Sequence, residues 1–245
     1  MGGESSRSGC SRSPSIERTN SMHSHGHDPG RRPFVPALGH RFLTPFYDPL
    51  LRLHLRERQW RGRLVDQMRI EAGLQILDVG CGTGTLALLV NERWPTVEVV
   101  GIDPDPQILE IARRKAGRTT TAVRFDLGYA DRLPYRDSSF DRVVSSLVFH
   151  HLSHETKVLA LREAWRVLRP GGELHIADVG RPTSTFMRIA VSPFRLFDGV
   201  GATEDNLAGR LPTLIADAGF SEVVETGRVL LGVVCLYRAV RPRVT

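Results

Sequence analysis

Between Leu74 and Val179 the chain alternates short apolar runs with stretches whose apolar residues recur every three or four positions. The short runs predict strands at Leu74–Val79, Val97–Ile102, Ala122–Phe125, Phe140–Val148 and Glu173–Val179. The longer stretches predict helices over Thr85–Glu92, Pro106–Ala116 and His154–Leu168. In the last of these Val158, Leu161, Ala164, Trp165 and Leu168 recur at helical spacing. Arg169-Pro170-Gly171-Gly172 is expected to end that helix abruptly. Alternating βα units of this length predict an α/β fold, a parallel sheet covered by helices on both faces. Past Val179 the pattern changes. Residues 183–200 are apolar without a simple repeat, a helix ending at Gly219 is expected next, and strands near Glu222–Thr226 and Val229–Val240 are spaced as a hairpin.

The chain before Leu74 divides in two. Residues 1–32 are rich in Ser, Arg, Gly and His and nearly free of large apolar side chains, so a disordered tail is expected. His23, His25 and His27 alternate there, but alternating histidines in such a tail are more often incidental, and no metal is expected. Met22 offers an alternative translation start. Residues 33–70 read as an N-terminal helical segment or lid, with Leu50, Leu51, Leu53 and Leu55 followed by Trp60, Leu64, Val65 and Met68. Residues 71–245 read as one domain.

Composition narrows the picture modestly. At 245 residues and 41% hydrophobic content the chain can bury a core without staples. Its longest apolar runs, Val143–Phe149 and Val229–Tyr237, fall far short of the ~20 residues that span a bilayer, so no transmembrane segment is expected. No signal-peptide apolar region stands at the start. Cys10, Cys81 and Cys235 are scattered without metal-ligand spacing, which suits a reducing cytoplasm. The net charge is +6, but all of the 33 basic residues except Lys115 and Lys157 are arginine. That skew suits a GC-rich codon bias better than a binding stripe, and no nucleic-acid partner is expected.

The chemistry concentrates at residues 76–84, Ile-Leu-Asp-Val-Gly-Cys-Gly-Thr-Gly. A strand, a glycine turn and a helix N-terminus form a nucleotide-cofactor pocket at the carboxyl end of a sheet. Gly80, Gly82 and Gly84 permit positive φ and are expected to leave no Cβ in a ligand's way. The third glycine of a dinucleotide fingerprint would fall on Thr85, and Asp78 aims a carboxylate at the ligand, which favours a cation over a pyrophosphate. Asp103 closes the second strand about 20 residues on, where an acid accepts both hydroxyls of an adenosine ribose; capping the next helix is its other reading.

These features resemble class I S-adenosylmethionine-dependent methyltransferases, in particular the group of ubiquinone and menaquinone C-methyltransferases and small-molecule methyltransferases. The resemblance rests on Leu77–Gly84, Gly101-Ile102-Asp103, Leu133-Pro134-Tyr135 through Ser139-Phe140-Asp141, and Arg166–Gly172, in that order. The later Asp217-Ala218-Gly219-Phe220 matches the family's last helix-to-strand junction. The resemblance implies a Rossmann-like seven-stranded sheet of order 3-2-1-4-5-7-6 with the last strand antiparallel. It further implies S-adenosyl-L-methionine as cofactor and a small-molecule acceptor. Asp78 would hold the methionine ammonium. Gly80, Cys81, Gly82 and Gly84 would lie along the cofactor, Asp103 would bind the ribose, and Pro104 and Asp105 would border the adenine. Tyr129 stands where the family usually has an acid, leaving adenine recognition to Ala130 or Asp131.

Ser145–His151 at the end of the fourth strand should face the methyl group, Ser145 among the cofactor residues. His150 or His151 would take a proton if the nucleophile arrives protonated; shaping the pocket or capping the next helix is the alternative. Tyr47, in a Tyr-Asp pair with Asp48, would lie near the cofactor or pack in a helix seam. Residues 183–218 form the variable insertion on the acceptor side; the apolar part, 183–200, suits an apolar acceptor, plain core or a subunit contact. Monomer and homodimer both remain open. Three other readings compete: a nicotinamide oxidoreductase, a nucleic-acid or protein methyltransferase, and a non-catalytic cofactor-binding regulator. Glycine spacing and Asp78 oppose the first. Ser-Leu-Val-Phe-His-His, in place of an Asn/Asp-Pro-Pro-Tyr loop, opposes the nucleic-acid form of the second.

Overall fold

The computed structural model describes residues 57–118, 123–185, 187 and 200–243. The expected tail 1–32, the helical residues before Glu57, Tyr47 with Asp48, Ala122 and most of the 183–200 segment lie outside the described residues. The first described element is helix α1, Glu57–Gln67. Strand β1, Gln75–Val79, leads through the glycine turn into α2, Thr85–Arg93. Strand β2, Glu98–Asp103, leads into α3, Pro106–Ala116, and β3 follows at Val123–Leu127. Then come β4, Phe140–Ser146, α4, His154–Val167, and β5, Leu168–Val179. Helices α5, Val200–Ala208, and α6, Leu211–Asp217, precede β6, Ser221–Val229, and β7, Val234–Val240.

The seven strands run in the order β3-β2-β1-β4-β5-β7-β6. Neighbours are parallel except β7, which is antiparallel to both β5 and β6, as the resemblance implied. Successive strand residues point to opposite faces, and two apolar layers record this. Ile76, Val99, Val144, Ala177 and Leu236 pack with Trp60, Leu64, Leu86, Val90 and Leu109 under α1, α2 and α3. Leu77, Val100, Val143, Ile176 and Tyr237 pack with Leu161, Ala164, Leu214 and Ile215 under α4 and α6. Parity therefore assigns Asp78, Asp103 and Ser146 to the α1 face, and Ser145 and Asp178 to the α4 face. Helix α1 is pinned over its face by Gln67, whose Nε2 donates to the Tyr237 carbonyl at 3.1 Å and lies 3.2 Å from His175 Nδ1.

Several boundaries differ from the sequence expectation. Arg169–Gly172 does not separate helix from strand: α4 stops at Val167 and β5 begins at Leu168, paired with Phe140. The Gly171 N–H donates to the Arg241 carbonyl at 2.8 Å and the Arg241 N–H to Gly172 at 2.9 Å, so the Pro-Gly-Gly stretch is held as extended chain. Strand β4 ends two residues early because Leu147 turns left-handed, at φ 58°. Strand β6 runs on to Val229, and a short 3-10 turn, Leu230–Gly232, separates it from β7. The stretch 200–217 holds two helices, broken at Gly209 with φ 77°.

Candidate cofactor and acceptor site

The turn after β1 is shaped by its own glycines. Gly80, Gly82 and Gly84 have φ of 69°, 55° and 76°, a region costly for side-chain-bearing residues. They do not share one task, which corrects the expectation that all three clear space for a ligand. A Cβ on Gly80 would overlap Val148, and one on Gly84 would lie 2.6 Å from Phe125 Cζ, so these two permit close packing of the protein on itself. Only at Gly82 would an added Cβ meet open space. Cys81 is buried beneath the turn, its thiol pushed up by burial and by Asp78 and Asp103. The Lys115 ammonium donates to Thr83 Oγ1 at 2.8 Å, tying α3 to the same turn.

Asp78 is 1% exposed, and neither carboxylate oxygen closes a hydrogen bond of good geometry. Burial pushes its carboxyl up to about 7; the Arg61 cation on α1 pulls the other way, Asp103 adds repulsion, and the Ala87 backbone helps only weakly. A buried carboxylate without donors is costly alone and becomes favourable when a cation reaches it. On the same face the buried Ser146 hydroxyl also lacks a partner. An open cradle at Gly82, an unanswered acid and an unanswered hydroxyl fit a ligand carrying an ammonium group.

Asp103 accepts from the Gly82 amide at 2.9 Å and the Asp105 amide at 3.0 Å, so it staples the end of β2 to the glycine turn. Burial raises its carboxyl to about 6, against the lowering effect of those two amides. The capping reading of Asp103 is overturned. Asp105 caps α3, accepting from the Gln107 amide at 2.8 Å, and leaves Asp103 at the turn. Pro104 stands between these two acids. Farther along, Tyr129 is 40% exposed, while Ala130 and Asp131 are half-buried in a tight turn where Tyr129 bridges to Arg132. The loop after it is gripped from α4. Leu133 N–H donates to Glu163 Oε2 at 2.7 Å, and Arg166 donates to the Leu133 and Tyr135 carbonyls at 3.0 and 2.8 Å. Two of the resembling motifs, Leu133-Pro134-Tyr135 and the one that opens at Arg166, are thus in direct contact.

At the end of β4 the serines divide their labour. Ser145 Oγ donates to the Val79 carbonyl at 2.9 Å, joining β4 to β1, and the hydroxyl left open is that of Ser146. Parity decides between neighbours that sequence reading did not separate. Beyond strained Leu147, residues Phe149–His151 form a 3-10 turn. His150 is 2% exposed, with Nδ1 2.7 Å from Asp178 Oδ1. His151 is half-buried, its ring tilted 39° against that of His150 with centroids 4.0 Å apart. Sequence reasoning missed Asp178, Asn206 and Arg61, and within the Ser145–His151 run it singled out Ser145 rather than Ser146. Nothing along the chain itself marks Asp178. Among the described residues no cluster suits a metal ion.

Comparisons with known proteins agree with this geometry. Residues 76–172 match a family model described as a methyltransferase domain. The chain is 42% identical over 144 residues to the demethylmenaquinone methyltransferase of Deinococcus radiodurans, covering 58% of this chain and 59% of that protein. Identity to the Thermus thermophilus demethylmenaquinone methyltransferase is also 42%, over 57% of this chain and 64% of that one. The chain thus spans less than two thirds of the length of these two relatives. In fold it is similar to an S-adenosylmethionine-dependent methyltransferase from Methanosarcina mazei, with TM-score 0.59 and 20% identity over 74% of this chain and 98% of that chain. Matched domain, relatives and strand order thus agree in their similarity to methyltransferases, the matched stretch being residues 76–172.

Proposed function

We propose that this protein transfers a methyl group from S-adenosylmethionine to a small, partly apolar acceptor by in-line displacement. The observation that carries the reading is Asp78, a buried carboxylate whose two oxygens are unanswered by the protein itself. When bound, the cofactor supplies an electrophilic methyl on a cationic sulfur. Asp78 would meet its ammonium, and Asp103, already held by the turn, would accept from the ribose hydroxyls through its remaining lone pairs. Pro104 with Ala130 or Asp131 would border the adenine. In such a displacement the protein's tasks are alignment and exclusion of water. His151 would take the proton that the nucleophile gives up, and His150 serves the turn rather than the proton.

The named substrate of the relatives, demethylmenaquinone, supports an acceptor of that ring type. The apolar 183–200 stretch of the acceptor-side insertion 183–218 supports an apolar pocket, with residues 33–70 as a lid and residues 1–32 as an appended tail. No helix among the described residues is long and apolar enough to cross a membrane, which supports a cytoplasmic enzyme.

Methyl-labelled cofactor, incubated with the protein and a reduced demethylmenaquinone, should place label in an organic-extractable product. Label appearing in RNA or protein would overturn the acceptor class. Tight calorimetric binding without any incorporation would instead mark a non-catalytic cofactor binder. In the same calorimetry Asp103→Ala should weaken cofactor binding by roughly 1.5–3 kcal/mol through lost charge-assisted hydrogen bonds.

A further inference from the structure

Asp178, one residue before the end of β5, is fully buried and gathers five donors. Its Oδ2 accepts from the backbone amides of Val148 at 3.0 Å and Phe149 at 2.7 Å. Its Oδ1 accepts from its neighbouring Val179 amide at 2.7 Å and from Asn206 Nδ2 at 3.1 Å, and it lies 2.7 Å from His150 Nδ1. An ionised carboxylate only accepts, so Nδ1 of His150 carries the proton. Three of these donors belong to the turn that follows β4. That turn starts at Leu147 with φ 58°, a conformation that costs roughly 1–3 kcal/mol and persists only where surroundings over-determine it. Asp178 supplies that surrounding from the next strand.

We propose that Asp178 is a positioning residue for His151: through His150 and the amides of residues 148 and 149 it fixes the turn that presents His151 to the methyl acceptor. The proposal rests on the reading of His151 as the proton acceptor. Two contacts extend the arrangement in opposite directions. The His151 ring lies in tilted contact with that of His150, centroids 4.0 Å apart, so the orientation of one ring constrains the other. Asn206, which also donates to the Val179 carbonyl at 3.2 Å, brings α5 to the same carboxylate. Helix α5 lies within the 183–218 insertion, so the same carboxylate also holds part of that insertion.

The charged and titratable groups on the elements packed around the turn are His150 beside it, Asp178 from β5, His154 and Lys157 from α4, and Glu204 and Asp205 from α5. Asp205 is answered by Lys157 at 3.5 Å, His154 at 3.0 Å and Arg210 at 2.8 Å. Asp178 is the acid that acts through the histidine pair, and a negative charge there favours protonated His151.

Asp178→Asn keeps the shape and removes the charge. Turnover should fall roughly 10- to 100-fold with cofactor affinity nearly unchanged, because Asp178 and Asp78 lie on opposite faces of the sheet. The NMR titration midpoint of the His151 ring, assigned with His151→Gln, should drop by about one pH unit. Asp178→Glu, which restores charge but not geometry, should recover the midpoint and not the turnover. An unmoved midpoint in folded Asp178→Asn overturns the proposal, as does a parallel loss of cofactor affinity. If that variant does not fold, Asn206→Ala, which removes a single donor, provides the same readouts; unchanged midpoint and turnover there overturn it equally. Full turnover by His151→Gln would remove the base reading alone, since the midpoint reports on Asp178 independently of activity.

Discussion

Asp78 and Asp178 each stand one residue before the end of a strand in one sheet, are equally withdrawn from water, and behave in opposite ways. Burial raises both carboxyls. At Asp178 the His150 ring and the converging amides outweigh burial and hold the group below its ordinary range. At Asp78 burial wins, and the group rises to about 7. Five well-formed donors, against only the Arg61 cation and a weak Ala87 backbone contact, account for the difference. A buried acid saturated by its own chain is architecture, whereas one left wanting a cation is prepared for a ligand. The two lie on opposite faces of the sheet, so the α1 face is prepared for the cofactor and the α4 face holds the histidine turn.

The sharpest way to break this comparison is to remove each acid. Asp178→Ala strands its donors in the interior and should cost ~3–5 kcal/mol in a denaturant titration with an unchanged slope. Asp78→Asn should do the reverse. The folded value of Asp78 lies above its ordinary 3.8, so its destabilising effect is absent below about pH 4 and complete above about pH 7. At pH 8 the Asn variant should therefore gain ~1–3 kcal/mol as apoprotein while losing about 100-fold in cofactor affinity. Equal destabilisation by both substitutions would erase the distinction.

A smaller effect should follow pH alone. Cofactor binding favours ionised Asp78, so affinity should rise with pH up to about 7 and then level off, changing about tenfold per unit below it. Calorimetry in buffers of different ionisation enthalpy should show proton release near pH 6. Affinity flat from pH 5 to 8 would place the ammonium elsewhere. The smallest effect separates two glycines of one turn. Gly82→Ala, with open space around the new methyl, should cost only about 1 kcal/mol of stability and act mainly on cofactor affinity. Gly84→Ala, pressed against Phe125, should act mainly on stability.

Much of this molecule is legible along the chain because its signals are local. Short apolar runs found the strands, and Asp78 ahead of three glycines located the cofactor turn, since every residue involved lies within nine positions. Reading failed where partners are distant or where parity decides. Ser145 and Ser146 are indistinguishable in sequence, yet one is committed to β1 and the other is open. Arg61 stands 17 positions before Asp78 and acts on it only because α1 docks on that face. Asp178 carries no signal of its own in the sequence; its role comes from Val148, Phe149, His150 and Asn206 being brought around it.

The sequence by itself determined the βα order, the glycine turn and the family they resemble, because apolar runs and left-handed backbone are properties of neighbouring residues. Only the tertiary structure decided how each buried acid is charged and which histidine is held. Those depend on how many donors reach a carboxylate in a dry interior, and the donors for Asp178 come from strands and helices brought together only by the folded sheet.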